Sequence, residues 1–297
     1  MPPPAGPAML RPFPQHGSHG MIQITGLNIY PVKSCRGIAL TRARLTETGF
    51  EHDREWLVIT PEGRFLTQRE RPQLAQIETA LSADQLILRK PTGADLAVPL
   101  DLAGSEREVT IWHDKVDAFD AGEEAAAWLT EHLGKPARLV RFDKRRKRVS
   151  NPQWTGGVEA LTQFADGYPW LLISQGSLDE LNRRMATPLP MNRFRPNIVV
   201  DGLAPFGEDS VDEFISGEVR LKVVKPCDRC VVTTTDQITG ERTGDEPLKA
   251  LKAFRFDRNL RAVLFGQNMI LTGGAGAELK VGQPFEVTAG TSKASIG

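Results

Sequence analysis

Short β-rich runs, each closed by a turn signal, recur through the first half of this chain. The runs fall at residues 55–60, 74–81, 85–89 and 106–112, after an apolar stretch at 22–29. Turn-forming triplets separate them, namely Pro61-Glu62-Gly63, Ser82-Ala83-Asp84 and Pro91-Thr92-Gly93. Many short strands at such spacing are typical of a barrel or a sandwich, not of a doubly wound parallel sheet. The sequence therefore predicts a β-rich α+β fold with a few helices.

One helix is predicted with well-defined ends, over residues 122–133. Glu123 and Glu124 lie in its first turn, where acidic groups complement the helix dipole, and Gly134 follows its end. Further helices are predicted at about 177–185 and 245–254. Strands are predicted at 170–174, 197–200, 218–224, 231–235, 269–271 and 284–287. The strand at 231–235 follows from five consecutive β-branched residues, since valine and threonine favour strands.

Charge balance and cysteine count restrict the class of protein. Lys and Arg number 37, Asp and Glu number 37, and the formal net charge of zero does not favour binding of the whole chain to a polyanion. The three cysteines, Cys35, Cys227 and Cys230, are too few for a secreted disulfide framework and indicate a reducing compartment. No apolar run approaches the roughly 18–20 residues of a membrane-spanning helix. We therefore predict a cytoplasmic protein that binds no membrane.

A basic run, Lys144 to Arg148, lies within an irregular stretch at 141–157. Such a run can form a nucleic-acid or nuclear-import patch. Without interleaved aromatic residues it is more typical of a solvated loop between two lobes, so we expect no nucleic-acid partner. The stretch also predicts a domain boundary, with one domain at residues 21–142 and a second at 143–292.

The two ends of the chain are predicted to lie outside these domains. Residues 1–20 are rich in Pro, Gly and His and lack the apolar core of a signal peptide. We expect a disordered leader there, with Met21 as an alternative start, and a short tail at 293–297.

The pair Cys227 and Cys230 carries the most informative chemistry. A structural zinc site needs four ligands, and no second ligand pair at metal-binding spacing is present. A thioredoxin-like dithiol usually places its first cysteine at a helix N-terminus, whereas a strand is predicted here. A c-type haem site requires His where Val231 stands. Two interpretations stay open: a buried structural pair, or a single thiolate beside Arg229 and Lys225 that binds a soft metal.

Cationic and hydroxyl groups also occur near the ends of predicted strands. They are Lys33, Ser34, Arg54 and Arg195. The amide side chain of Asn197 follows two residues after Arg195. An arginine holds a phosphate by its planar fork, a lysine as a point charge and a serine by its hydroxyl. Each group alone is more typical of a surface ion pair or a turn, so the information lies in their ordered combination.

Three segments in this order resemble the MOSC-domain proteins. Tyr30-Pro31-Val32-Lys33-Ser34-Cys35 is similar to the start of their N-terminal β-barrel domain. The MOSC domain proper is resembled by Phe194-Arg195-Pro196-Asn197 and by Cys227-Asp228-Arg229-Cys230 with the threonines that follow. The resemblance extends over roughly residues 21–287 and is strongest to the amidoxime-reducing components and their bacterial counterparts. It implies an N-terminal β-barrel domain joined to a MOSC β-barrel domain.

The resemblance further implies a molybdenum enzyme. In that group a pyranopterin supplies a dithiolene to the metal and one cysteine of the protein completes the coordination. Cys230 stands at the matching position, as metal ligand and catalytic residue, and Cys227 is then structural or lies just beyond the ligand. The other positions that match cofactor contacts are Lys33, Ser34, Arg54, Gly167, Tyr168, Arg195, Asn197, Asp228 and Arg229.

The implied activity is the reduction of small N-hydroxylated compounds at their N–O bond. Three cysteines cannot hold a four-cysteine iron–sulfur cluster alongside Cys230, so electrons would come from a separate ferredoxin-like protein, flavoprotein or b-type cytochrome. MOSC domains also occur in molybdenum-cofactor sulfurases, which gives a cofactor carrier or sulfur-transfer protein as the alternative. A binding module centred on the basic run is a third interpretation. Pyridoxal phosphate binding is a family-level association only.

Overall fold

A computed structural model describes residues 21–290. Within that range it has 21 strands and four α-helices, numbered here in chain order. The strands are β1 Ile22–Ile29, β2 Ile38–Leu40, β3 Arg42–Thr46, β4 Gly49–Phe50, β5 Trp56–Ile59, β6 Glu78–Leu81, β7 Gln85–Arg89, β8 Leu96–Pro99, β9 Glu106–Ile111, β10 Asp114–Asp120, β11 Arg138–Phe142, β12 Arg148–Val149, β13 Leu161–Thr162, β14 Trp170–Ser174, β15 Ile198–Asp201, β16 Val211–Ser216, β17 Val219–Asp228, β18 Phe256–Asp257, β19 Ala262–Gly273, β20 Glu278–Lys280 and β21 Pro284–Ala289. The helices are α1 Gly122–Leu133, α2 Pro152–Thr155, α3 Gln175–Arg183 and α4 Leu248–Phe254.

Seven strands close into a barrel in the order β14-β15-β1-β21-β16-β17-β19, and β19 pairs back with β14. The β14–β15 pair is parallel and the other pairs are antiparallel. Fully buried apolar side chains pack among these strands, including Ile24, Trp170, Phe214 and Met269. Strand β1 is the first strand of the described chain, so barrel closure joins residues that are far apart in sequence.

A second group of strands lies in the first half of the chain. It comprises a four-stranded antiparallel sheet, β5-β11-β10-β9, and a three-stranded sheet, β6-β7-β8. Helix α1 buries Trp128, Leu129 and Leu133 against this group. It begins and ends where the sequence predicts, and Gly134 takes the left-handed conformation (φ 63°) that closes many helices. The predicted β-rich α+β class is confirmed. No helix in residues 21–290 is long and apolar enough to span a membrane.

The predicted strand at 231–235 is wrong. Val231–Thr234 is a short 3-10 helix that begins directly after Cys230. The hydroxyl groups of Thr233 and Thr234 donate to the carbonyl oxygens of Cys230 and Val231, at 2.9 and 2.8 Å. These local side-chain bonds compete with a sheet ladder and outweigh the β propensity of the segment. Likewise, the predicted strand at 74–81 begins only at Glu78, because a 3-10 helix occupies Pro72–Gln76.

The basic run Lys144 to Arg148 meets carboxylates at every position. The pairs are Lys144–Glu55, Arg145–Asp143 and Arg145–Glu106, Arg146–Asp117, Lys147–Glu159, and Arg148–Asp114, all at 2.6 to 2.9 Å. Paired charges leave little excess positive potential for a polyanion. The pairing favours a structural role for the basic run over binding of nucleic acid. The stretch at 141–157, which was expected to be irregular, also contains β12 and α2. The boundary at 142/143 stays a prediction, and the predicted leader and tail lie outside the described residues.

Glu55 is a fully buried member of this charge cluster and makes the stability of the fold sensitive to acid. Its carboxylate accepts from Arg141 and Lys144, at 2.7 and 2.8 Å, and lies 3.3 Å from His52. Burial acts to raise the pKa of Glu55, but these partners outweigh it and lower the pKa from 4.5 to about 2. A depressed folded-state pKa stabilises the fold above the unfolded value, and this contribution is lost as pH falls from about 4.5 to 2.

We expect Glu55→Gln to reduce the free energy of unfolding at pH 7 by about 3 kcal/mol, because the shift represents about that much differential interaction. The deficit should shrink as pH falls from about 4.5 towards 3, because Glu55 of the unfolded wild-type chain then takes up a proton while the folded chain does not. Urea unfolding at pH 7, 4.5 and 3 measures it. The matched control is Glu70→Gln, which removes an exposed pair with Arg64 and should change stability by less than about 1 kcal/mol. A deficit that is constant with pH would contradict the assignment.

Candidate active site

A cavity of about 390 Å³ is lined by loops at strand ends from both halves of the chain. Its wall comes from the turn after β1, the loop before β5, the segment before β14, the residues before β15, and the end of β17 with the residues that follow it. All ten residues predicted as site residues line it: Lys33, Ser34, Arg54, Gly167, Tyr168, Arg195, Asn197, Asp228, Arg229 and Cys230. Positions up to about 200 residues apart in sequence thus meet at one cleft.

The sequence interpretation missed several lining residues of the cleft, among them the polar or aromatic residues Thr67, Arg69 and Trp112. Thr67 and Arg69 follow β5, and Trp112 lies in the turn between β9 and β10. The sequence carried no signal for them, because neither segment has a motif and only the packing of the two halves brings them to Cys230.

Arg54 forms an ion pair with the buried carboxylate of Asp53. Its guanidinium donates to Asp53 Oδ2 at 2.5 Å and to Asn197 Oδ1 at 2.8 Å. Asn197 also accepts from the Leu171 backbone and donates to the Asn28 carbonyl, so its amide is engaged by the protein. Burial raises the pKa of Asp53, and Arg54 opposes this shift. Asn197 therefore acts on the cleft by orienting Arg54.

Arg195 is a half-buried cation that differs from Arg54 in having no carboxylate partner in the described part of the chain. Its guanidinium donates to Gln237 Oε1 at 3.0 Å, and no carboxylate pairs with it within residues 21–290. Burial lowers its pKa to about 10, which measures how poorly its charge is solvated. Arg54 and Arg195 both contact the Tyr30 ring, at 4.3 and 4.2 Å from its centre, so one aromatic ring helps to position both guanidinium groups. The uncompensated charge of Arg195 makes this wall a site for an anion.

Lys33 and Asp166 form an ion pair in the cleft wall. Lys33 Nζ donates to Asp166 Oδ1 at 2.7 Å and to the Phe164 carbonyl at 2.9 Å. Burial lowers the pKa of Lys33, and Asp166 opposes this shift. Within the cleft, desolvation acts to raise the pKa of Asp166, but Lys33 outweighs it and the pKa lies well below its usual range. The two groups therefore satisfy each other by direct pairing in the cleft wall.

The two cysteines of the pair differ in their surroundings. Cys230 Sγ accepts from Arg69 Nη2 at 3.2 Å. Cys227 Sγ accepts from Arg229 Nη1 at 3.0 Å, and burial raises the pKa of its thiol. Arg229 also donates to the Phe194 carbonyl at 2.7 Å, which holds it against Cys227. Cys227 is thus packed by an arginine of the protein, whereas Cys230 lies in the cleft beside an arginine with free donors.

The remaining predicted residues form the rim of the cleft. Tyr168 is half-buried, and burial with the nearby Asp228 carboxylate raises the pKa of its hydroxyl to about 12. Asp228 Oδ2 pairs with Lys225 Nζ at 3.1 Å. A Cβ placed on Gly167 would meet nothing within 4 Å, so open space lies over that position.

Backbone strain concentrates at this cleft. Seven non-glycine residues of the described chain have φ between 49° and 71°, in the left-handed region. Four of the seven line the cavity, namely Ser34, Arg54, Trp112 and Arg195. Each such residue costs on the order of 1–3 kcal/mol and persists where the surrounding structure over-determines it, typically at functional sites.

The donor set fits a phosphate-bearing metal cofactor with one protein ligand. Arg195 supplies an uncompensated charge for a phosphate, and the buried Nε of Arg229 has no hydrogen-bond partner. Cys230 supplies a sulfur ligand of the kind that soft metals prefer. No cluster of three or more His, Cys, Asp or Glu side chains suited to a metal occurs in residues 21–290. A metal bound at Cys230 would therefore take its other ligands from the cofactor.

Comparison with known families agrees with this architecture. Residues 21–136 match the MOSC N-terminal beta barrel domain, and residues 160–292 match the MOSC domain. The cleft with Cys230 is therefore that of a two-domain MOSC protein.

Similar proteins of known name indicate which group of MOSC proteins this chain resembles. The chain is 37% identical over 241 residues to mitochondrial amidoxime reducing component 2 of Bos taurus, an alignment that covers 78% of this chain and 72% of the relative. It is 35% identical over 276 residues to mitochondrial amidoxime-reducing component 1 of Homo sapiens, covering 88% and 81%. The chain belongs to the MOSC family that contains the amidoxime-reducing components.

The same comparison corrects one prediction. A cytoplasmic protein was expected because the chain has few cysteines and no signal peptide. That prediction is wrong, because the relatives are named mitochondrial proteins. Cysteine usage indicates a reducing environment but does not separate one reducing compartment from another.

Proposed function

We infer that this protein is a reductase of N-hydroxylated compounds that uses a molybdenum–pterin cofactor bound in the cleft. The observation that carries this function is the meeting of Cys230 and the uncompensated Arg195 in one cavity of a chain related to amidoxime-reducing components. When bound, the cofactor supplies the two-electron removal of oxygen from an N–O bond. The net change consumes two electrons and two protons and yields the reduced nitrogen compound and water.

Different residues of the chain bind different parts of such a cofactor. Cys230 is the metal ligand and the catalytic residue, and the cofactor carries the difficult chemistry. Arg195 and Ser34 bind the phosphate, and Arg54 joins them with its position fixed by Asp53 and Asn197. Lys33, Gly167, Tyr168, Asp228 and Arg229 form the remaining wall against the pterin.

The substrate class and the electron source follow from the same family. The names of the relatives point to amidoximes, and the cleft volume of about 390 Å³ lies in the range of small-molecule sites. The electron donor is a separate redox protein, of ferredoxin-like, flavoprotein or b-type cytochrome type. Pyridoxal phosphate binding remains a family-level prediction without a supporting feature.

The test is reduction of benzamidoxime by protein purified from a host that makes molybdopterin. With a chemically reduced viologen as donor, we expect one benzamidine formed for every two electrons consumed. Protein with bound molybdenum that forms no benzamidine would contradict the reductase function. Such a result would favour the carrier or sulfur-transfer alternative, in which a persulfide on Cys230 or Cys227 should be detected by mass spectrometry.

A further inference from the structure

The guanidinium of Arg69 faces the cleft with unused hydrogen-bond donors. Its Nη2 donates to Cys230 Sγ at 3.2 Å, and the guanidinium makes no other hydrogen bond within the described residues. No carboxylate pairs with it there either. A guanidinium has five N–H donors, so most of those on Arg69 are free beside the sulfur of Cys230.

Arg69 is held in place from two directions. Its guanidinium carbon lies 4.6 Å from the centre of the Trp112 ring, as a cation–π contact. Its backbone is fixed by Arg242, which donates to the carbonyl oxygens of Gln68 and Arg69. The side chain that reaches Cys230 is therefore pre-positioned.

Trp112 is itself fixed as a platform. Its indole Nε1 donates to Asp166 Oδ1 at 3.1 Å, and its ring lies 5.0 Å from that of Phe65. Trp112 has φ of 56°, a strained conformation for a bulky residue. Arg69 and Phe65 both pack on the indole, so Trp112 serves to position Arg69.

We propose that Arg69 is a substrate-binding residue that donates a hydrogen bond to the oxygen of the substrate's N–O group beside Cys230, with Trp112 as its positioning residue. This role rests on the proposed function and specifies which substrates the cleft takes. A free cation favours a neutral or anionic N-oxygenated compound and disfavours a cationic one. An amidoxime is neutral at pH 7, whereas the amidine formed from it is a cation. Asp166 lies near enough to interact with this charge, but it already pairs with Lys33 and therefore offsets the charge of Arg69 only in part. Arg69 thus binds the substrate and promotes release of the product.

Direct binding to the oxidised, molybdenum-loaded protein tests this role without turnover. Calorimetric titration compares benzamidoxime with benzamidine, which lacks the oxygen and is cationic. In Arg69→Gln we expect benzamidoxime to bind about tenfold more weakly, since one charge-assisted hydrogen bond is lost. Benzamidine should bind at least as tightly as to the wild type, because a repulsive cation has been removed. Trp112→Ala should reproduce part of both effects, and Trp112→Phe less of them.

The opposite changes in affinity for benzamidoxime and benzamidine distinguish a role of Arg69 in ligand recognition from a purely structural role. Unchanged affinity for benzamidoxime in Arg69→Gln would overturn the proposal, and so would equal weakening of both ligands at unchanged molybdenum content. The matched control is Arg64→Gln, an exposed arginine paired with Glu70, which should alter neither affinity. A wild-type protein that contains molybdenum but neither binds nor reduces benzamidoxime would instead count against the reductase function itself.

Discussion

The Cys230→Ala variant is expected to lose amidoxime reduction by more than about 100-fold, because even groups that only support a metal ligand contribute 10- to 100-fold. Cys230 is only partly buried. Its backbone carbonyl accepts a hydrogen bond from the Thr233 amide in the 3-10 helix, and this bond does not involve the sulfur. Removing its sulfur should therefore change the free energy of unfolding by less than about 1 kcal/mol. The expected result is a folded and inactive protein.

The neighbouring cysteine provides the matched control. Cys227→Ala removes a thiol that lies against Arg229 and Phe194 but leaves Cys230 in place. We expect this variant to keep most of its activity and to lose some stability, because Arg229 loses a hydrogen-bond partner. Steady-state rates and thermal melts of both variants measure the difference. An active Cys230→Ala protein beside an inactive Cys227→Ala protein would assign the ligand to the other cysteine.

The two half-buried arginines of the proposed anion site, Arg54 and Arg195, are expected to respond oppositely to the same substitution. Arg195→Gln removes a half-buried cation that no carboxylate of the described residues pairs with directly, so the cofactor-free protein should be as stable as the wild type or more stable. Its affinity for the cofactor should fall by about 10- to 100-fold, the value of one or two charge-assisted hydrogen bonds. Function and stability therefore conflict at Arg195, as is common at binding sites.

Arg54→Gln should behave differently, because it leaves Asp53 buried without its cation. Breaking such a pair costs about 3 kcal/mol of stability. The loss should shrink at low pH, where the Asp53 carboxyl takes up a proton, since its pKa is already raised by burial. Urea unfolding of cofactor-free protein at pH 7 and 5, with cofactor content of the loaded proteins, separates the two variants. Equal destabilisation by both substitutions would contradict the difference in pairing.

Local sequence signals predicted those elements whose stabilising contacts are local. The bounds predicted for helix α1, about 122–133, agree with the structure because its acidic first turn and the glycine that follows it are local signals. The segment after Cys230 failed, because propensity does not include the hydroxyl groups of Thr233 and Thr234 returning to nearby carbonyl oxygens. Barrel closure through β1 was equally beyond local signals, because it depends on pairing between the two ends of the described chain.

The candidate site likewise contains residues that local sequence motifs indicate and residues that only the folded structure reveals. Most of its predicted residues were proposed because they lie in motifs that resemble a known family; all ten line one cleft, and their roles stay a prediction. Arg69 and Trp112 lie in segments without a motif and meet Cys230 only through packing of the two halves. The unequal pairing of Arg54 and Arg195 also needed the structure, since Asp53 adjoins Arg54 in sequence but nothing in the sequence shows that Arg195 has no carboxylate.

Molybdenum content is the most direct measurement of whether Cys230 binds a metal cofactor in this cleft. Wild-type and Cys230→Ala proteins would be purified from a host that makes molybdopterin and analysed by elemental mass spectrometry, with Cys227→Ala alongside. We expect near-stoichiometric molybdenum in the wild type and in Cys227→Ala, and its loss from a folded Cys230→Ala protein. A well-folded wild-type protein without molybdenum, or a Cys230→Ala protein that retains it in full, would contradict the assignment of Cys230 as the ligand of a molybdenum cofactor.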